Sequence, residues 1–202
     1  DLFAPANKGK IEVLTELRDT VGVIMLAQGV DITKFTADQY ANALDFLEKK
    51  ISDGFIRQVK GNDYKEDLIS GDAVAVIGWS GDAFQLAAEN DGKFEFAIPE
   101  SGGTISADNF IIPSTSKNKA NVEKLINYYY EPEVAAKVAA YVNYITPVQG
   151  AQAAMEKIDP KLVDNQLIFP SAETQKKLHV FRNLTPAEET EFTDAFQKAT
   201  GN

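Results

Sequence analysis

Apolar positions recur along the chain with two spacings, one typical of strands and the other typical of helices. Short apolar or alternating runs bounded by Gly, Pro or Asn predict strands. Longer segments with apolar residues at helical spacing, several opened by Thr or Pro and closed by Gly, predict helices. The predicted strands are 11–14, 55–59, 73–78, 94–98 and 109–113, and the predicted helices are 18–27, 36–51, 64–70, 81–88, 121–130 and 132–141.

Local features refine this pattern. Thr15 is placed to cap the first helix. The runs at 73–78 and 109–113 are apolar without alternation, which is typical of buried strands. From residue 149 onward the pattern is mostly helical, and the segment 185–188 (TPAE) forms a capping box before the last helix. Strands that alternate with helices indicate an α/β sheet fold.

Composition and charge limit the function classes. Hydrophobic residues make up 44% of the 202 residues, which is enough to bury a core. The chain has 30 acidic and 20 basic side chains, a formal charge of −10. Nucleic-acid phosphates require clustered Lys and Arg, so this balance argues against a nucleic-acid partner and leaves a cationic ligand open.

The sequence excludes some kinds of site and contains no motif for several others. The chain has no cysteine, which excludes disulfides and thiolate-bound metals. It contains no calcium loop, no HExxH and no glycine-rich nucleotide motif, so neither a metal nor a cofactor is predicted. No apolar run reaches the length of a membrane helix. The sequence starts at Asp1 without a basic and apolar leader, so we expect any signal peptide to have been removed or to lie outside this sequence.

An enzymatic function is the first alternative to weigh. His179 is the single histidine, and no serine lies in a GxSxG motif. Asp63 with Glu66, or Glu188 with Glu189, are carboxylate pairs of the kind that solvated helix faces commonly carry. A hydrolase or transferase would need two such groups with shifted pKa values facing one pocket.

Two residues at predicted strand ends are candidates for ligand contact. Trp79, the only tryptophan, follows the strand at 73–78, and Asp108 lies at the end of the loop 104–108, before the strand at 109–113. Open α/β sheets bind ligands at the carboxyl ends of their strands. Each residue also has a structural interpretation, because Trp79 suits a core position and Asp108 suits a loop cap.

Four stretches together resemble one family. In chain order they read WSGDAF, FAIPESGG, ADNFIIPSTSKNK and KLINYYYEPEVAAKVAAYVNYITP. They are similar to the bacterial spermidine/putrescine-binding proteins, which are the extracellular solute-binding subunits of ABC importers. The resemblance implies an α/β fold of the type II periplasmic binding protein class, of which this chain supplies the second lobe and part of the first. Residues 1–107 would belong to the second lobe, 108–144 to a crossing strand and helices of the first lobe, and 145–202 to the return into the second lobe.

The resemblance also implies a set of ligand residues. Its carboxylates, Glu16, Asp19 and Asp108, would pair with ammonium groups, while Trp79 and Tyr144 would form aromatic walls. Two positions depart from the family pattern. Ser106 stands where many members carry a second tryptophan, and Arg182 stands where they carry a polar amide. A cation at position 182 would repel a polyamine unless it is paired, for example with Asp108 or Glu16. The ligand would then be a shorter diamine, a polyamine bound differently or a solute with a carboxylate that Arg182 contacts. Arg182 also has a structural interpretation, as a bridge between two carboxylates.

The implied partners follow from this resemblance. They are a polyamine such as putrescine or spermidine, an ABC permease, and the N-terminal lobe that this sequence lacks. The chain by itself is expected to form a homodimer, by swapping the segment 108–145 for instance, or to leave that segment poorly packed. The parent protein would act in the periplasm or at the cell surface, free or lipid-anchored.

Overall fold

Short parallel strands alternate with helices in the structure, a computed structural model that describes residues 2–201. Its strands are β1 Ile11–Leu14, β2 Ile56–Lys60, β3 Ala75–Val76, β4 Gly103–Thr104 and β5 Leu178–His179. Its helices are α1 Leu17–Ala27, α2 Ala37–Ser52, α3 Tyr64–Ser70, α4 Ser80–Glu89, α5 Lys119–Tyr129, α6 Pro132–Val142, α7 Ala151–Met155, α8 Ala172–Lys176 and α9 Pro186–Thr200. One parallel sheet has the order β2-β1-β3, and β4 pairs with β5 in parallel.

Contacts divide the chain into two units. Unit 1 comprises the residues up to Trp79, 97–106 and those from 177 on, and unit 2 comprises 80–96 and 107–176. The predicted passage between lobes at 107/108 lies beside the unit boundary at 106/107. Residues 145–176, predicted to return to the second lobe, group with unit 2, in which α7 packs on α6. How these units correspond to lobes stays a prediction.

The core of unit 1 holds β1, α1, α2 and α9 together. Tyr40 on α2 stacks on Phe192 on α9 with ring centroids 4.1 Å apart, and its hydroxyl donates to the Phe192 carbonyl at 3.1 Å. The predicted capping box at Thr185 is confirmed, and Thr36 forms a second one at the start of α2, each with its N3 side chain bonded back to the cap. These caps fix where α2 and α9 begin and so align their apolar faces.

Unit 2 has its own small core. Three alanines on α6, Ala135, Ala136 and Ala139, are buried against Met155 and Ile168. Their methyl side chains let α7 approach α6 closely. Pro132 occupies the first turn of α6, as predicted, where the missing N–H leaves no bond unmade.

Four local predictions were wrong. Thr15 does not cap α1, because Glu16 is the N-cap residue and the Thr15 hydroxyl donates instead to the Glu16 carboxylate at 3.0 Å. The run at 73–78 forms only the two-residue strand β3, which is half-buried because it lies at the edge of its sheet. Residues 94–98 and 109–113 form no strand, since no neighbouring strand pairs with them in the described part of the chain.

Unit 2 exposes apolar side chains around the second of these segments. Phe110 is 56% and Ile111 is 90% exposed, and α5 buries none of its side chains. Among residues 2–201, no helix is long and apolar enough to cross a membrane.

Candidate functional site

Asp19 and Trp79 meet in unit 1 at the carboxyl ends of two neighbouring strands. Asp19 lies in the first turn of α1, directly after β1, and the Thr20 hydroxyl ties that turn to the Leu14 carbonyl at 2.8 Å. Trp79 follows β3, which runs parallel to β1. The indole Nε1 of Trp79 donates to Asp19 Oδ2 at 3.1 Å. The pairing of β1 with β3 therefore brings together a carboxylate and an aromatic ring that are 60 residues apart in sequence.

Thr104 on β4 supplies the second contact to Asp19. Its Oγ1 donates to Asp19 Oδ1 at 3.3 Å. The approach of β4 to α1 depends on Gly22, because a Cβ there would lie 2.8 Å from the Thr104 methyl carbon and 3.4 Å from the Phe181 ring. The sequence predicted that the loop 104–108 lies near a site, but it did not indicate this hydroxyl contact.

Two other predicted residues of unit 1 lie exposed. Glu16 accepts a hydrogen bond from Thr15, and because it is the N-cap residue it precedes the helix turn that carries Asp19. Ser106 follows β4 and makes no side-chain hydrogen bond to any described residue. Both side chains are open to solvent and accessible to a ligand.

Arg182 has internal partners for most of its guanidinium donors. Nη1 and Nη2 donate to the two carboxylate oxygens of Glu188 at 3.1 and 2.6 Å, and Nε donates to the Phe35 carbonyl at 2.9 Å. The guanidinium also lies 4.2 Å from the centroid of the Phe35 ring. Bonding from Arg182 and from the Thr185 backbone lowers the pKa of Glu188 to about 2. This geometry favours the structural interpretation of Arg182, with Glu188 rather than Asp108 or Glu16 as its partner.

Unit 2, taken by itself, combines Tyr144 with two carboxylates. The ring of Tyr144 lies against Gly81, where any Cβ would overlap it. Burial, then the charge of Asp82 and more weakly that of Asp108, raise the pKa of Tyr144 to about 12, although the Asp82 backbone N–H also bonds its oxygen. The hydroxyl is therefore neutral at physiological pH, beside two negative side chains.

Asp82 is the acidic residue that the sequence interpretation missed. It lies in the first turn of α4 and is only 9% exposed. The available signal was its position three residues after Trp79, at the start of a helix that follows a strand. A buried acid at this position is expected to pair with another group rather than to increase the solubility of the protein.

The enzymatic alternative depends on His179 and on clustered acidic side chains. No hydrogen bond joins the His179 side chain to a carboxylate within residues 2–201. The same residues contain no cluster of three acidic or histidine side chains that could hold a metal.

An open cavity of about 690 Å³ lies in unit 2 and is lined by Phe84, Ala140, Asn143, Asp159, Lys161, Leu162, Asp164 and Asn165. None of the predicted ligand residues lines it.

Carboxylates beside aromatic rings at strand ends are suited to holding a cation, and comparison with known proteins bears on this point. Residues 1–170 match the model of the family described as bacterial extracellular solute-binding protein. The chain belongs to this family. The family is one of solute-binding proteins, which is the class that the sequence predicted.

Two similar solute-binding proteins are named for the polyamines that they bind. The putrescine-binding periplasmic protein of Escherichia coli (strain K12) is 29% identical over 175 residues, which are 84% of this chain and 46% of that protein. The spermidine/putrescine-binding periplasmic protein of the same organism is 26% identical over 200 residues, 98% of this chain and 55% of that protein. The predicted resemblance to spermidine/putrescine-binding proteins is thereby confirmed.

Solved structures confirm the fold class. A putative spermidine/putrescine ABC transporter from Listeria monocytogenes superposes with a TM-score of 0.84 at 27% identity, covering 98% of this chain and 59% of that one. The chain thus has a partial type II binding-protein fold, and it spans about half the length of the curated relatives that it matches.

Proposed function

We propose that this chain forms the ligand-holding part of an extracytoplasmic solute-binding protein that captures a polyamine for an ABC importer. The observation that supports this most is the Asp19 carboxylate between the Trp79 indole and the Thr104 hydroxyl, at 3.1 and 3.3 Å. It combines the two groups that a polyamine requires, a negative charge for an ammonium and an aromatic face for the methylenes.

The two hydrogen bonds leave Asp19 able to bind a cation. A carboxylate has about four lone-pair sites, so one bond to each oxygen leaves further acceptor capacity for an ammonium N–H. The indole bond also fixes the direction of the Trp79 ring. An ammonium or its neighbouring methylene over that ring gains about 0.5–2 kcal/mol of cation–π attraction.

Unit 2 offers a second combination of the same kind. Tyr144 presents a neutral hydroxyl and an aromatic ring beside Asp82 and Asp108, whose charges add to the effect of burial in raising its pKa. We propose that an ammonium group binds to these carboxylates. The formal charge of −10 would also attract a cationic solute from a distance.

A solute with a carboxylate is the second candidate, and it rests on Arg182. Since Glu188 neutralises that guanidinium with two hydrogen bonds, an incoming anion would have to displace an internal carboxylate. The pairing also removes the repulsion of a polyamine that an unpaired Arg182 would cause. We therefore place Arg182 outside the ligand set and propose a binding protein without enzymatic activity.

Calorimetry is the direct test of this proposal. The chain and a longer natural protein that contains it would be titrated with putrescine, spermidine, a panel of amino acids and inorganic anions. We expect heat from a diamine or polyamine in the longer protein and weaker binding in the chain alone. Binding of an anion with no response to any cation would refute the polyamine assignment.

Replacing Trp79 by alanine is expected to weaken putrescine binding about 5- to 30-fold, the loss of one cation–π and methylene contact of about 1–2 kcal/mol. Because Trp79 is only half-buried, the melting temperature should change little. Tyr141→Ala is the control, since this tyrosine is 84% exposed and its loss should leave affinity unchanged. Unfolding of the Trp79 variant, with unchanged affinity in the folded remainder, would restore its interpretation as a core residue.

The relatives named above as periplasmic suggest where the protein acts. We propose that it is exported and delivers its ligand to a permease outside the cytoplasmic membrane. Anchoring by lipid belongs to the same proposal, and metabolic labelling with a fatty acid in cells would test it.

Self-association of the chain is a further expected result. Phe110 packs on Tyr129 at 5.0 Å between ring centroids, yet Phe110 and its neighbour Ile111 stay largely exposed. We propose that the N-terminal lobe covers this surface in longer proteins and that a second copy covers it here. Size-exclusion chromatography with light scattering should show a dimer at micromolar concentration, and a monomer at all concentrations would contradict this.

A further inference from the structure

Tyr64 is a buried aromatic residue that contacts the backbone of Trp79. It is the first residue of α3 and is 2% exposed. Its hydroxyl oxygen accepts a hydrogen bond from the Trp79 backbone N–H at 3.2 Å. The two rings lie with centroids 6.1 Å apart at 54°. Tyr64 thus touches Trp79 through both the main chain and the side chain.

The residue before Trp79 lies against the same ring. A Cβ at Gly78 would lie 3.1 Å from both Cζ and the hydroxyl oxygen of Tyr64, and 3.3 Å from Cε2. Nine in ten real Cβ contacts are longer than this. The chain between β3 and Trp79 therefore passes the Tyr64 ring closely only because residue 78 has no side chain.

The helix that carries Tyr64 is itself held by ion pairs. Asp67, one turn further along α3, lies 3.3 Å from Nη1 of Arg57 and also pairs with Lys60, both on β2. Leu68 on the same helix is buried. Since β2 pairs with β1, these contacts fix α3, and with it Tyr64, to the sheet whose strand ends carry Asp19 and Trp79.

We propose that Tyr64 is a positioning residue that sets the Trp79 indole for ligand contact. Asp19 holds the outer end of the indole through Nε1, and Tyr64 holds its backbone, so the ring is fixed at both ends. This rests on the proposed function insofar as Trp79 meets the ligand. Without the Tyr64 hydroxyl, the Trp79 N–H loses its partner and the 78–79 segment gains conformational freedom.

Fluorescence of this chain tests the positioning directly, because Trp79 is its single tryptophan. Tyr64→Phe removes only the hydroxyl. We expect a shifted emission maximum and stronger quenching by acrylamide, both without ligand, and a fall of about 3- to 10-fold in putrescine affinity, the net contribution of one hydrogen bond.

Tyr40→Phe is the matched control. Tyr40 is also 2% exposed in unit 1, and its hydroxyl also bonds a backbone group, the Phe192 carbonyl. It should lose comparable stability without any change in emission or affinity. Equal changes in both variants would show a general loss of stability, and no fluorescence change in Tyr64→Phe would overturn the proposal.

A glycine pair provides a second, independent variant. Gly78→Ala should displace the Tyr64 ring and reproduce the fluorescence change of Tyr64→Phe. Gly61→Ala is its control, because a Cβ there meets only Thr15 Oγ1 at the ordinary distance of 3.7 Å. Unchanged emission in Gly78→Ala would count against the positioning role. The fluorescence results need no ligand, so if wild-type protein binds no polyamine, the proposed function fails while the positioning of Trp79 is still decided.

Discussion

Replacing Asp19 by alanine is expected to weaken putrescine binding about 100-fold, which corresponds to about 2.7 kcal/mol. The variant removes the charge that pairs with an ammonium, and a charged hydrogen bond contributes about 1.5–3 kcal/mol. It also leaves the Trp79 indole and the Thr104 hydroxyl without their partner, so the aromatic wall loses its fixed direction. Isothermal titration calorimetry gives the affinity, and the emission of Trp79 reports the freed indole.

Comparing Asp19→Ala with Asp19→Asn separates the contribution of the charge from that of the geometry at this position. Asp19→Asn keeps an oxygen that can accept the indole bond, so we expect an affinity between those of the wild type and the alanine variant. Asp38→Ala is the matched control, because Asp38 is likewise an acid in the first helical turn, on α2, whereas the hydrogen bonds described for Trp79 go to Tyr64 and Asp19. An alanine variant at 19 that binds putrescine as the wild type does would remove Asp19 from the ligand set.

Replacing Arg57 by methionine is expected to destabilise unit 1 by about 3 kcal/mol at pH 8 and by about 1 kcal/mol at pH 5. Arg57 Nη1 lies 3.2 Å from Oε1 of Glu12, whose side chain is fully buried on the central strand β1. Its other partners are Asp67 and Asp72. Without Arg57, an ionised Glu12 loses its hydrogen bond from the guanidinium and keeps the attraction of Lys60 as compensation for its burial.

The dependence of the free energy of unfolding on pH follows from the carboxyl groups of Glu12 and Asp67. Burial first, and then Asp67, raise the pKa of Glu12 to about 7. The folded state therefore holds a proton that the unfolded state releases above about pH 4.5, so stability falls as pH rises from about 4.5 to 7. Bonding to Lys60 lowers the pKa of Asp67, so its contribution is present above its ordinary pKa of 3.8 and is lost as pH falls below it.

Urea unfolding at pH 5 and pH 8, followed by Trp79 fluorescence, measures this difference within unit 1. Lys49→Met is the control, because its pair with Asp53 is 70% and 39% exposed and contributes less than about 1 kcal/mol. Glu12→Gln carries no ionisable proton and should flatten the fall in stability between the two pH values. An equal loss at both pH values in the Arg57 variant would contradict the role assigned to Glu12.

Local signals in the sequence predicted the helices well. α3 was predicted at its observed bounds because Gly71 supplies the left-handed residue that ends it, with φ of 85°. The strand predicted at 109–113 is absent because a strand, unlike a helix, depends on a partner that is distant in sequence. Its apolar run indicates an extended backbone, but a strand exists only where another strand pairs with it, and no local pattern encodes that partner.

The candidate site was predictable only as far as family resemblance reached. Its position at a strand end made Trp79 a ligand-contact candidate, but its bond to Asp19 spans 60 residues and depends on the pairing of β1 with β3. Asp82 was missed because an acid in the first turn of a predicted helix is as typical of a solvated position as of a buried one, and its place after Trp79 was the single hint. Arg182 was paired in prediction with distant acids, whereas its partner, Glu188, is six residues away and also caps α9.

The pair of hydrogen bonds that Arg182 donates to Glu188 limits how ligand selectivity can be redesigned. Glu188 caps α9 with the same carboxylate that holds the guanidinium, so a substitution at 182 changes the start of the last helix together with the local charge. Ser106 has no such attachment among the described residues and is exposed. Directed evolution of this chain towards other solutes should therefore accumulate changes at 106 and leave the 182–188 pair untouched.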